Sequence, residues 1–495
     1  MAGIGFELRK VLAEGGIARF LAVGLAGTAL VAGPWLLSVL GIFLIQRFAS
    51  SLLSEAPALF LSTIVYCYAF SLIIMSGLHY VFTRWISDLI YEKKEREVGS
   101  ALLACVLLVG AGSALIGLGG VLPLRLSGAV SSPLLFSVFA VLLFVGINLN
   151  WLLMSFISLL KRYFGILLIY LAGSLVSFLG VFILGRSAAT GGALLGYAAG
   201  QWLIVIALYV MTLRRFPPGK ARLPFLEFGR LLRRFRLLFL SGTLYAWAMW
   251  ADKVVFWFVF GRRAPGGWMS IYDPFDIPVF FSMLTLIPGL IYFTVQGETS
   301  FYPRLSDFLV SLREGTYHRI QEKKYTMIRV MNAGLYELAL LQGITTAVAV
   351  LLAPAIASGL FGGGVDIRVL RLTLVAVFFH AVFLGLMIFL FYFQLFAQAF
   401  FSVFAFFSVN LVSSLILAHF GLEGLAGSSY MAGAAAGCAV AASLLGPFAA
   451  RIDRIIFMRS AKGSARSSAK GSARSSAKGS ARSSAKGSAR SSAKG

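Results

Sequence analysis

Apolar runs recur along almost the whole chain, and a run of about 20 residues suffices to cross roughly 30 Å of hydrocarbon as a helix. A chain carrying many such runs has few choices. In lipid every backbone N–H and C=O must find its partner within the chain, so a polytopic bundle of helices is the solution. The runs predict about twelve transmembrane helices, at 20–46, 57–82, 99–123, 133–160, 163–184, 190–213, 237–260, 277–298, 330–357, 367–392, 397–419 and 423–449. The expected fold class is an all-α polytopic membrane protein. Span 1 is interrupted by Gly33-Pro34 and span 8 by Pro288-Gly289. Proline frees a backbone carbonyl and kinks a spanning helix.

Charge sets the orientation. Connections that place both termini in the cytoplasm collect 26 Lys and Arg, against seven on the opposite side, the asymmetry of the positive-inside rule. The most basic connection, 214–236, contains Pro217, Pro218 and Pro224 and divides the spans six and six. Two six-helix lobes are the pattern of a transporter whose pathway lies between them. The expected organisation is a 1–19 amphipathic interfacial helix, a lobe at 20–213, the basic linker at 214–236, a second lobe at 237–459, and a tail at 460–495.

That tail repeats the octad SAKGSARS and holds nine of the basic residues and no acid, so +15 of the formal +24 belongs to residues 1–459. With no apolar side chain larger than Ala it has nothing to bury, and disorder is expected. The distribution also removes the nucleic-acid reading that a charge of +24 invites. Cys67, Cys105 and Cys438 form no CxxC pair and fall in apolar runs, which points to inert thiols. The four histidines are scattered, no phosphate-loop or HExxH motif occurs, and neither a metal nor a cofactor is expected.

Within the run 237–260, LLFLSGTLYAWAMWADKVVFWFVF, two charges sit side by side, Asp252 and Lys253. Each costs roughly 2.5–3.5 kcal/mol at a membrane helix centre. Helix neighbours lie about 100° apart, so the two are not expected to neutralise each other. Asp252 shares a face with Tyr245, Ala248 and Phe256, and Lys253 with Trp250 and Trp257. Asp252 therefore faces a protein interior or a watery cavity; an interhelical ion pair that fixes packing and, for Lys253, snorkelling to the membrane surface are the alternatives.

Further candidates lie beside this pair. Glu298 closes span 8 and Glu337 lies about two turns into span 9, where each is a pathway or an interfacial acid. Trp247 and Trp250 could stack on sugar rings or pack against neighbours. In the outer segment YDPFDIP, Asp273 and Asp276 could meet a polyhydroxylated or cationic polymer at the exit, or belong to a solvated loop.

The run TSFYPRLSDF, the helix to Arg329 and LAPAIASGLFGGG at 352–364 resemble the multidrug/oligosaccharidyl-lipid/polysaccharide exporter superfamily. More narrowly, MAGIGFELRK at the N-terminus, GPW at 33–35 and FDIPVFFSMLTLIPGLIYFTVQGETSFY at 275–302 resemble the PelG family, over residues 1–457. The resemblance implies an exporter, not an enzyme, in a bacterial inner membrane. It implies an N-acetylgalactosamine-rich nascent polysaccharide as cargo, a cytosolic PelF-like glycosyltransferase, and PelD-like and PelE-like membrane partners. The tail is foreign to the family pattern.

The expected function is therefore synthesis-coupled export of a polysaccharide, with the glycosyltransferase docked on the basic segments 214–236 and 299–330. A lipid-linked oligosaccharide flippase and a cation-coupled multidrug antiporter are the alternatives; the antiporter would use Asp252 or Glu337 as its ion site. The flippase reading is weakened by the absence of charge between Phe20 and Gln46 in span 1. The major facilitator pattern GxxxDRxGRR is not matched by TRWISDLIYEKKER. A membrane-embedded glycosyltransferase would want a larger outer domain than these short outer loops provide, and a pure scaffold for the synthase also fits the sequence.

Overall fold

The computed structural model describes residue 53 and residues 56–157, 163–219, 225–361 and 364–455. The predicted interfacial helix 1–19, span 1 with its Gly33-Pro34 and the octad tail lie outside the described residues. Within them the first four helices are α1 (Pro57–Tyr91), α2 (Glu95–Val121), α3 (Pro133–Ile157) and α4 (Tyr163–Arg215). Next come a short α5 (Phe225–Arg234) and α6 (Arg236–Val259). A two-residue antiparallel pairing of β1 (Arg262–Arg263) with β2 (Ser270–Ile271) follows. The remaining helices are α7 (Asp273–Leu284), α8 (Ile287–Gln296), α9 (Tyr302–Glu314), α10 (Tyr317–Phe361), α11 (Ile367–Tyr392), α12 (Phe396–His419) and α13 (Gly427–Ala450). A π-helical turn, Gly297–Phe301, joins α8 to α9.

The chain folds as an all-α membrane protein. Nine helical runs among the described residues are long and apolar enough to cross a membrane, so the count of twelve is not established. One of the nine, Phe164–Arg215, bends at Ala188 and Ala189, whose backbone leaves the helical region, and so contains two of the predicted spans. The limbs of that bend touch through glycine: a Cβ on Gly180 would lie 2.7 Å from the Gly196 Cα. α6 is not among the nine, because Asp252 and Lys253 dilute its hydropathy.

Three expectations are revised. Span 8 is broken near Pro288 as foreseen, but at Thr285 and Leu286, where α7 stops and α8 starts with Pro288 in its first turn. The basic segment before span 9 is no separate helix from Tyr317 onward; α10 runs on without interruption, since no Gly or Pro stands between Tyr317 and Ala333. The basic linker is partly helical as well. Its α5 rests apolar residues on the bundle, with Phe228 stacked on Phe82 at 5.3 Å, and leaves Arg230, Arg233 and Arg234 exposed.

Packing separates the helices into two groups. α3 lies against α1, α2 and α4; α11, α12 and α13 pack on one another, with α7 and α10 against α11. α6 belongs to both groups, because it packs on α1 and on α12. Its residues divide by face: Ala246, Trp250 and Trp257 enter the core built by α1, α3 and α4, whereas Ala248 and Phe256 enter the core of the later helices. The α1–α6 crossing is tight. A Cβ on Gly242 would stand 2.8 Å from the Gly77 Cα, and one on Gly77 would stand 2.4 Å from the Phe239 carbonyl oxygen. Small residues let two membrane helices approach this closely.

Candidate functional site

Ala248, Asp252 and Phe256 recur every fourth residue on α6, so they line one stripe, and that stripe faces the later helices. Asp252 is completely buried and Lys253 is 4% exposed. The Lys253 ammonium donates to the Met249 carbonyl at 2.8 Å and to both Asp252 oxygens at 3.3 and 3.4 Å. The expectation that helix neighbours do not neutralise each other is thus corrected. The angle between their Cβ directions holds, but the flexible four-carbon stem folds back toward the preceding turn and delivers the ammonium to its neighbour's carboxylate. Snorkelling is corrected too, since Lys253 points inward.

Three rings surround the ammonium. It stands 4.9 Å from the Tyr430 ring centroid, 5.7 Å from Phe275 and 5.8 Å from Trp250, within the range of cation–π attraction. These rings come from α13, α7 and α6. A buried ion pair repays its desolvation only when further interactions complete it, and here the carbonyl and the rings do so.

Tyr430 extends the cluster. Its hydroxyl bonds His380 Nδ1, and Tyr245 OH bonds the other ring nitrogen at 2.6 Å. A neutral imidazole has one donor and one acceptor nitrogen, so one tyrosine donates to His380 and the other accepts from it. On the same side Asn410 of α12 donates to the Ala248 carbonyl at 2.8 Å. α6, α11, α12 and α13 are therefore joined by polar contacts inside an apolar bundle.

Asp276 lies on the other flank of α6. It is 6% exposed and its Oδ2 accepts from the Trp257 indole N–H at 2.7 Å. Among the described residues no group bonds its Oδ1. Tyr66 of α1 stacks on Trp257 at 4.9 Å and bonds both backbone groups of Ser270 at 3.0 Å. The reading of YDPFDIP as a solvated loop is corrected, because Asp273 and Pro274 open α7 and bury Asp276 one turn later. Acids and proline in a first helical turn match the free N–H groups there.

The structure gathers Asp252, Lys253, Trp250 and, through Phe275 and Trp257, Asp276. It leaves the other candidates apart. Trp247 is half-buried against the core of the earlier helices, and Asp273 is half-buried at the start of α7. Glu298 is half-buried in the π-helical turn, a backbone form that concentrates at functional sites. Glu337 is exposed on α10 and accepts from Tyr292 OH. Trp250 is 8% exposed and tilted against Trp257 at 5.8 Å, so it offers no open stacking face in this conformation. His380, Tyr430 and Asn410 are members of the cluster that sequence reasoning passed over. Each is a polar residue inside an apolar run, the signal that singled out Asp252.

The likeness to known proteins fits this architecture. The bent form of the MATE transporter VcmN from Vibrio cholerae is 15% identical, with a TM-score of 0.58, covering 91% of this chain and 99% of that one. Lipid II flippase MurJ in an inward closed conformation is 11% identical, with a TM-score of 0.54, covering 85% and 87%. The eukaryotic MATE transporter AtDTX14 is 12% identical, with a TM-score of 0.52, covering 85% and 95%. At such identities the likeness establishes the exporter and flippase fold alone. No curated protein sequence matches the chain. A family model does, the one named PelG and described as "Putative exopolysaccharide Exporter (EPS-E)", over residues 1–457. This chain belongs to the PelG family of exopolysaccharide exporters.

Proposed function

We propose that the chain carries a nascent, Pel-like polysaccharide outward across the bacterial inner membrane as a cytosolic glycosyltransferase makes it. The observation that carries this reading is the family match over residues 1–457. The fold shared with a MATE transporter and a lipid II flippase supports movement of cargo between two helix groups. Both termini lie in the cytoplasm in this proposal, and the exposed arginines of α5, with the basic residues of α9 and α10, receive a PelF-like enzyme. PelD-like and PelE-like proteins complete the assembly. When the later helices part from α6, Asp252, Lys253 and Asp276 become the polar side of the route. Trp247 and Trp250 provide the stacking wall, Asp273 stands toward the exit, and Glu298 and Glu337 lie toward the inner side.

A second reading, a flippase for lipid-linked saccharide, is favoured by the likeness to MurJ. Cells that make the synthase but lack this chain distinguish the two when extracellular polymer and lipid-linked saccharide are measured together. Loss of polymer without a lipid-linked intermediate is expected for synthesis-coupled export. Accumulation of lipid-linked saccharide would transfer the case to the flippase, and unchanged polymer would leave the cation-coupled antiporter. Full export by Asp252→Asn at normal protein levels would remove Asp252 from the route.

A further inference from the structure

Around Lys253 the chain has built the surroundings of a cation, not merely the partner of a lysine. The Asp252 carboxylate lies at 3.3 and 3.4 Å from Nζ. The Met249 carbonyl oxygen, at 2.8 Å, supplies a neutral acceptor to the site. Tyr430, Phe275 and Trp250 present ring surfaces at 4.9, 5.7 and 5.8 Å. All four side chains that meet the ammonium are more than nine-tenths buried. One carboxylate, one carbonyl and three rings from α6, α7 and α13 surround the ammonium with acceptors and ring faces, suited to a desolvated cation attracted from several directions.

We propose that this pocket is a primary-ammonium binding site whose resident ligand is the side chain of Lys253, so that the protein carries its cation covalently tethered. The tether has a direct consequence. A free monovalent cation could reach Asp252 only by displacing an ammonium that cannot diffuse away, which gives the tethered group a large effective concentration. The Asp252 carboxylate is therefore closed to ion coupling while Lys253 is in place. Removing the stem opens a site for a soluble ammonium of the same shape. A lysine retained only for packing would leave no such site behind.

The test uses the full chain purified in detergent, with n-propylammonium chloride as the probe, since Lys253→Ala deletes a propylammonium fragment. Thermal unfolding and the total tryptophan emission, to which Trp250 and Trp257 contribute beside the site, are followed during titration. Lys253→Ala is expected to unfold several degrees below the parent, because it strands a buried carboxylate, and to be restored in a saturable way by n-propylammonium. The parent and the double variant Asp252→Asn/Lys253→Ala are expected to show no response beyond that to sodium chloride. A folded Lys253→Ala protein indifferent to the amine would overturn the proposal, as would an equal response from the double variant. Should Lys253→Ala fail to fold even when made with the amine, the double variant decides. Recovery of folded protein on neutralising Asp252 supports the stranded charge, whereas a double variant that also fails shows that stem packing is what matters and overturns the tethered-cation assignment.

Discussion

The indole N–H of Trp257 meets Oδ2 of Asp276 at 2.7 Å, and the same indole carries Tyr66 on its face at 4.9 Å. One side chain of α6 therefore holds both α1 and the first turn of α7. Trp257→Phe keeps a ring for Tyr66 but removes the donor, leaving a buried carboxylate without a bond on either oxygen among the described residues. A loss of about 1–3 kcal/mol is expected, read as a lower unfolding midpoint in detergent. Adding Asp276→Leu should recover part of it, because no carboxylate then remains to be stranded.

The α1–α6 crossing depends on the absence of side chains at Gly77 and Gly242. Leucine at either position should abolish the monodisperse peak in size-exclusion chromatography of the detergent-solubilised protein. Gly110→Leu is the control, since a Cβ there meets nothing within 4 Å, and it should elute as the parent does.

Tyr430 has two tasks that mutations can separate. Tyr430→Phe loses the bond to His380 but keeps a ring over Lys253, and a cost of about 1 kcal/mol is expected. Tyr430→Leu loses the ring too, adding about 2 kcal/mol for a desolvated cation–π contact. Unfolding midpoints that decline in the order parent, Phe, Leu would support this division, while equal midpoints for the two variants would contradict it.

Beyond α13, Asp453 accepts from Lys324 Nζ at 2.9 Å and from Gln321 Nε2 at 2.8 Å. Burial pushes its carboxyl up, but the bonds from Lys324 and Gln321 outweigh burial and hold it below the usual carboxylate range. The folded state thus binds this proton less readily than the unfolded chain does. Its contribution, roughly 1 kcal/mol, is complete above the ordinary carboxylate pKa of about 3.9 and disappears as pH falls through the lowered value. Asp453→Asn should unfold earlier than the parent at neutral pH, and the difference should shrink on acidification below about pH 4.

Much of the helical framework was legible because its punctuation is local. α11 begins and ends where the sequence predicts, at Ile367 and Tyr392, with Asp366 capping the start by accepting from the Arg368 N–H. The inward face of Asp252 was legible from its fourfold spacing with Ala248 and Phe256. The rest of the cluster was not. Tyr430, Asn410 and His380 come from helices more than 120 residues later, and helical periodicity says which way a residue points without saying what meets it there. The Asp252–Lys253 contact was misjudged for the opposite reason, because angular separation describes Cβ atoms and not the end of a flexible stem. The helical start of YDPFDIP was missed because two prolines and two acids read equally as a turn.

The double allegiance of α6 bears on how the protein is made. A chain still on the ribosome with α1 to α4 complete has Tyr66 without its stacking partner and the Gly77 groove without Gly242. Among the described residues, that seam of α1 is closed by Trp257 and Gly242, which the second half of the polypeptide brings. Biogenesis of the earlier helices is therefore unfinished until the seventh predicted span arrives, and a product terminated before it would present that seam to the membrane quality-control proteases.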